Sequence, residues 1–314
     1  MGRQTRYTKP GGELKAISNR CFQQRHLLRP SPTVNQIVAG ILARAQHRTG
    51  VEVVGVTVLS NHMHQLVWGQ DSRQIAEYMH YCDGNIAREV GRLHGWSGKF
   101  WEKRYQSSSV TDEEAIQVAL LRYLLEQGCK EGLVERPEDW PGIHASSSIL
   151  GERTLEGIWI DRTGFCLANR LKSNKARLAD FHEIETLKLA KLPCWKHLSD
   201  EEYATRVREL IEDIEQETRQ RHRSEGTQPL GKRAVLKVNP KSRPKESKKS
   251  PLPLVRAATK KARDEFLEGL RWFLAAYREA SARLRAGESP VSFPEGCFPP
   301  AQSFIESSIQ PRAG

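Results

Sequence analysis

The chain has no run of about 18 apolar residues, the length a membrane-crossing helix needs, so no membrane span is expected. Its first residues, MGRQTRYTKPGGELK, are polar and basic without an apolar core, which argues against a secretory signal there. Cysteine is sparse, with six in 314 residues: Cys21, Cys82, Cys129, Cys166, Cys194 and Cys297. No two lie within three residues of each other, so zinc-knuckle spacing is absent and reduced, mostly buried cytosolic thiols are expected. None of the glycines forms a P-loop. Acidic residues are in deficit: 38 Asp and Glu stand against 49 Lys and Arg, a net charge of +11 and a pI near 9.4. Such an excess favours a polyanionic partner, nucleic acid above all.

Hydrophobic periodicity organises residues 1–150 into one α/β unit. Leu14–Phe22 reads as a strand. Ser31-Pro32 supplies an N-cap with proline at the first helical position, Val34, Ile37, Val38, Ile41, Leu42 and Ala45 recur at helical spacing, and Gly50 closes the helix. VEVVGVTVL (51–59) and HMHQLVW (62–68) read as two strands joined tightly at Ser60-Asn61, an antiparallel pair. A long helix from Ser72 buries Ile75, Met79, Cys82, Ile86, Val90 and Leu93. Phe100–Val110 is the fourth strand, and Thr111 with Glu114 predicts a capping box for a helix running to about Lys130. The order strand, helix, strand, strand, helix, strand, helix predicts an α+β fold: a ferredoxin-like antiparallel sheet with packed helices.

The remainder differs in composition. Residues 151–228 read as a charged, helical extension. Residues 229–262 read as a basic, Pro-rich linker. The stretch 229–263 holds twelve Lys and Arg against one Glu, a net +11 that equals the charge of the whole chain, and it suits a flexible arm with affinity for phosphates. Residues 263–314 hold an amphipathic helix, with Phe266, Leu267, Leu270, Phe273, Leu274 and Tyr277 near one face, and a C-terminal segment.

The chemistry concentrates at Asn61-His62-Met63-His64. Alternate side chains of a strand share a face about 7 Å apart, so His62 and His64 point one way and can converge on a cation. An isolated His-x-His is more often an ordinary histidine pair; its position opening a strand after a hairpin turn raises its weight. The second cluster is Arg122-Tyr123-Leu124-Leu125-Glu126-Gln127. Tyr123 and Gln127 lie four apart, on one helical face, where a phenol can sit beside an oxygen ligand. The plain alternative is a tyrosine at the edge of a core with a satisfied hydroxyl.

In combination these segments resemble the Y1 (IS200-like, REP-associated) tyrosine transposases of the HUH endonuclease superfamily. The family's Asn-His-hydrophobic-His strand stands here as Asn61-His62-Met63-His64, its Trp-x-x-Arg-aromatic strand as Trp101-Glu102-Lys103-Arg104-Tyr105, and its tyrosine helix as Tyr123 with Gln127. Gly132-Leu133-Val134, Asp139-Trp140-Pro141 and Ser146-Ser147 follow in the family's order. Ser60 replaces a usual proline and Gln65 an apolar residue; neither touches the proposed chemistry. The resemblance covers residues 10–150.

It implies an HUH fold, a catalytic Tyr123, and one Mg²⁺ or Mn²⁺ held by His62, His64 and Gln127, with Asn61 bracing the His strand. It implies cleavage and rejoining of single-stranded DNA through a 5′-phosphotyrosine, on hairpin-containing DNA, by a cytoplasmic, nucleoid-associated homodimer without membrane contact. Arg20, Arg88, Arg92, Lys103 and Arg104 are candidate phosphate contacts and Trp101 a candidate base-stacking residue. Tyr105, ahead of Tyr78 and Tyr81, is the runner-up nucleophile. The rival readings are a non-cleaving structured-DNA-binding protein derived from a transposase, a hydrolase using the His pair to activate water, and an RNA-binding sheet.

Overall fold

The computed structural model describes residues 7–171, 175–244 and 253–300. In chain order its elements are β1 (Glu13–Arg20), α1 (Pro32–Thr49), β2 (Glu52–Val58), β3 (His62–Gly69), α2 (Ser72–Leu93), β4 (Gln106–Val110), α3 (Glu114–Leu125), α4 (Ala145–Ile149), β5 (Leu155–Ile160), α5 (Arg162–Leu171), β6 (His182–Leu187), α6 (Asp200–Glu225), α7 (Lys232–Lys237), β7 (Val255–Arg256) and α8 (Lys260–Arg285). The main sheet has the order β2-β3-β1-β4-β7. Its first four strands pair antiparallel, and that order with two crossover helices is the ferredoxin-like arrangement.

Local chemistry starts α1 as expected. The Ser31 side chain accepts from Val34 N, Pro32 occupies the first turn, and Gly50 ends the helix at φ 69°, where a side chain would be strained. The expected capping box on α3 does not form. Its N-cap is Glu113, whose carboxylate accepts from the Thr111 hydroxyl and from the backbone of Ala258 and Thr259. A segment far along the chain has claimed the cap. The helix also stops at Leu125, short of Lys130, and Gly128 turns the chain at φ 89°. The fourth strand is shorter than Phe100–Val110, because only Gln106–Val110 pairs along β1.

The sheet separates two cores. On one face Ile17, Met63 and Val67 pack with α1 and α2. On the other, Leu14 and Leu66 pack with Leu120, Leu121, Leu124 and Leu125 of α3. Each fully buried leucine contributes about 1.5–3 kcal/mol, so α3 is held firmly by its apolar side. Core packing continues past residue 150: Trp195, Tyr203, Val207, Ile211 and Ile214, the last four on α6, join the α3 cluster. Within 151–228, read from sequence as helical, β5 and β6 form a two-stranded antiparallel sheet, with α5 between them in the chain, packed on α1. Within 229–262 the described residues include α7 and β7, and β7 adds parallel to β4. The last part of the C-terminal segment, 301–314, lies outside the described residues.

Candidate functional site

Pairing across the sheet fixes which residues share the His face. His62 lies opposite Arg20 on β1, and His64 lies between Ser18 of β1 and Thr57 of β2. Period-two alternation sends His62 and His64 to the α3 side with Leu66, while Met63 and Gln65 are buried on the α1/α2 side. The two imidazoles meet edge to face, centroids 4.9 Å apart.

The Tyr123 ring stands on the same side, 5.4 Å from His64 centroid to centroid. Thr57 ties α3 to the strand beside His64 by donating to the Leu124 carbonyl at 3.0 Å. Tyr123 is 38% exposed, and no described residue bonds its hydroxyl. The runner-up tyrosines sit elsewhere. Tyr78 and Tyr105 are buried in the opposite core with Tyr81 against it, and the Tyr78 hydroxyl donates to Gln65.

Electrostatics keep both imidazoles neutral. Burial, then the charges of Arg20, Lys130 and Arg256, lowers the His64 pKa to about 4. Burial, then His64 and Arg20, lowers that of His62. Neutral imidazole is the form that donates a lone pair to a metal. His62 Nδ1 lies 2.7 Å from Asn61 Oδ1. An amide oxygen only accepts, so that nitrogen carries the proton and Nε2 keeps the lone pair. Gln127 is buried, and its Nε2 donates to the Tyr123 carbonyl at 2.8 Å, which leaves Oε1 with no described partner.

No three His, Cys, Asp or Glu among the described residues could hold an ion together, so a cation at the His pair needs a ligand of another type. An amide oxygen such as that of Gln127 is a ligand type that hard cations accept, beside imidazole nitrogens that Mn²⁺ tolerates.

The candidate DNA contacts divide. Arg20 is exposed on the His face, opposite His62. Arg88 and Arg92 lie on α2, in the opposite layer, and Arg92 is paired with Glu89. Trp101 packs on Phe100 and donates its indole N–H to the Asp83 carbonyl, so its ring edge is engaged in the fold. Lys103 and Arg104 are exposed before β4, with the Arg104 guanidinium over the Tyr105 ring.

Two cations near the site escaped the sequence reading. The Lys130 ammonium lies 4.6 Å from the centre of the Tyr123 ring and 2.7 Å from Glu126. It falls seven residues after Tyr123, beyond the end of α3 and the turn at Gly128. Arg256 gave no local signal, since only strand pairing brings it here. Beside Tyr123, α3 and α6 enclose an open crevice of about 270 Å³ in which Arg122 and Lys130 are paired with Glu126 and Glu217.

Residues 14–127 match the family model described as "Transposase IS200 like". No curated protein matches the chain. Among solved structures, the chain is similar to a REP-associated tyrosine transposase bound to a REP hairpin, at 18% identity and a TM-score of 0.39, covering 48% of this chain and 86% of that one. It is also similar to a Deinococcus radiodurans R1 protein described as a transposase, at 18% identity and a TM-score of 0.28, covering 40% of this chain and 98% of that one.

Proposed function

We propose, from the match of residues 14–127 to the IS200-like transposase family model and from the geometry of the His face, that the chain is a metal-dependent single-stranded DNA endonuclease and strand transferase. The observation that carries this reading is the placement of Tyr123 beside His64, on the sheet face from which the other candidate tyrosines are absent.

Tyr123 is the nucleophile. Its phenol oxygen attacks the scissile phosphorus, the bond from phosphorus to the 3′-oxygen breaks, and the phenol proton is passed on as the 3′-hydroxyl forms. The 5′-phosphate stays on Tyr123 as an ester. A second 3′-hydroxyl attacks that ester, joins the strands and returns the proton to the phenol. No bond energy is lost to water, so no nucleotide cofactor is consumed.

A Mg²⁺ or Mn²⁺ ion held by His62, His64 and Gln127 would supply Lewis-acid polarisation of the phosphate. Asn61 holds the His62 ring in the tautomer that ligation requires. The Gln127 bond to the Tyr123 carbonyl couples the third ligand to the nucleophile's own helix. Arg20 binds a flanking phosphate from its exposed position.

The proposed substrate is hairpin-containing DNA with single-stranded flanks, and the proposed working unit is a homodimer acting at the nucleoid. No helix among the described residues is long and apolar enough to cross a membrane.

The test is a panel of hairpin single-stranded DNAs incubated with the protein and Mn²⁺, then run on a denaturing gel. A slow, protease-sensitive band of protein joined to the 5′-phosphate is expected. Binding without that band would return the non-cleaving reading, and free 5′-phosphate with no joined protein would return the hydrolase.

A further inference from the structure

The last part of the basic stretch comes back to the sheet that carries the His pair. Ser109 N donates to the Leu254 carbonyl and Thr111 N to the Arg256 carbonyl, both at 3.0 Å, so β7 is stitched to β4 by its backbone. Ser108 Oγ donates to the Pro253 carbonyl, and the Glu113 carboxylate clamps Ala258 and Thr259 just beyond. Register sets the direction of Arg256. It lies beside Val110, which lies opposite Leu14, and both of those pack in the α3-side core. Side-by-side residues of paired strands project to one face, so Arg256 projects to the face of the His pair.

The floor between them is low. On that face β1 presents Ala16 and Ser18, and β4 presents Ser108 opposite Ala16 and Gln106 opposite Ser18, the neighbour of His64.

Among the described residues the Arg256 guanidinium has no partner. Its Nε is buried with no hydrogen bond, and no described carboxylate pairs with it. Glu113, the nearest acid by sequence pairing, spends its oxygen on Thr111 and on backbone N–H groups. Glu126 is committed to Lys130 and Arg122. A buried cationic donor left open is costly unless a ligand meets it.

We propose that Arg256, carried into the catalytic sheet by β7, is a phosphate-binding residue for the DNA strand that crosses the His face. It and Arg20 stand on the same sheet face from different strands, Arg256 on β7 and Arg20 on β1, and together they hold separate phosphodiesters of one strand crossing that face. The C-terminal extension thereby completes the binding surface of the N-terminal unit. The forked guanidinium suits a phosphate better than an ammonium would. This inference rests on the reading of the His face as a single-stranded DNA site.

The test uses the full-length chain with Arg256→Gln and a fluorescent oligothymidylate, read by anisotropy across a salt series. One lost phosphate contact lowers the slope of log affinity against log salt by about 0.7 for single strands. Affinity at fixed salt falls by about tenfold. A wild-type slope and affinity in R256Q would overturn the proposal. Should R256Q fail to fold, Arg256→Lys reads the same contact: a kept slope with weakened binding supports the proposal, and unchanged binding overturns it. Covalent trapping of the wild type in parallel separates the two claims. A lowered slope without any joined product would leave the phosphate site standing and remove the nuclease reading. Joined product with an unchanged R256Q slope would do the reverse.

Discussion

The ring of Tyr123 stands edge-on to that of His64, their centroids 5.4 Å apart and their planes at 85°. Four residues on, Gln127 bonds back to the Tyr123 carbonyl, which ties the proposed third ligand to the proposed nucleophile. Thr57, the neighbour of His64 on β2, bonds the same helix. A phenol and two imidazoles are therefore referenced to one another through the backbone, which is how an effective concentration is built before substrate arrives.

Tyr123→Phe removes one oxygen and keeps the ring. Joined protein–DNA product is expected to vanish on the denaturing gel. The melting curve should stay within about 0.5 kcal/mol of wild type, since the ring is partly exposed and its hydroxyl has no described partner. Joined product from this variant would move the chemistry to another tyrosine.

Chelation is expected to abolish strand joining, and added Mn²⁺ to restore it. Asn61→Ala frees the His62 ring and should raise the Mn²⁺ concentration needed for half-maximal joining by roughly 10- to 100-fold, a usual cost of losing a group that orients a metal ligand. His64→Ala should abolish joining at all Mn²⁺ concentrations. Equal Mn²⁺ requirements in wild type and Asn61→Ala would remove the bracing role.

His144 predicts an acid-sensitive fold. It is buried beside Thr57, its Nδ1 accepts from Ser146 N, and burial lowers its pKa to about 4. The unfolded chain takes up this proton near pH 6.5, the folded chain not until about pH 4, so falling pH favours the unfolded state across that window and no further below it. The contribution lost is up to about 3 kcal/mol. Urea unfolding at pH 7 and pH 4.5 should show a larger loss for wild type than for His144→Gln, and parallel losses would refute the assignment.

Gly40 lies where α1 meets the β5–β6 strand pair. A Cβ there would sit 2.4 Å from the Ile158 backbone, which has no flexible end to move aside. Gly40→Ala should cost about 1–3 kcal/mol in urea unfolding. Joining at low temperature should persist, because α1 lies in the layer opposite the His pair. Unchanged stability would mean that the strand pair does not dock on α1 in solution.

Much of the N-terminal unit was legible because its signals are local. The alternation in HMHQLVW sets two histidines on one face whatever else the chain does, and Ser31-Pro32 with Gly50 bounds α1 by chemistry confined to a few residues. The α3 cap was misread because Glu113 answers to Ala258 and Thr259, some 145 positions away. The strand pair in 151–228 was not legible because β6, HEIETL, is mostly exposed and charged and carries no strong strand pattern.

The sequence alone determined the pairing of His62 with His64, the four-residue step from Tyr123 to Gln127 and the basic character of the chain, because side-chain periodicity and charge need no partner segment. Tertiary structure decided that Tyr123, rather than Tyr78, Tyr81 or Tyr105, shares the histidines' side of the sheet. It also decided that Trp101 is spent on the fold and that Arg256 reaches the same surface. Those outcomes depend on which face each helix covers and on β7 finding the open edge of β4, and both are settled by burial and backbone pairing between distant segments.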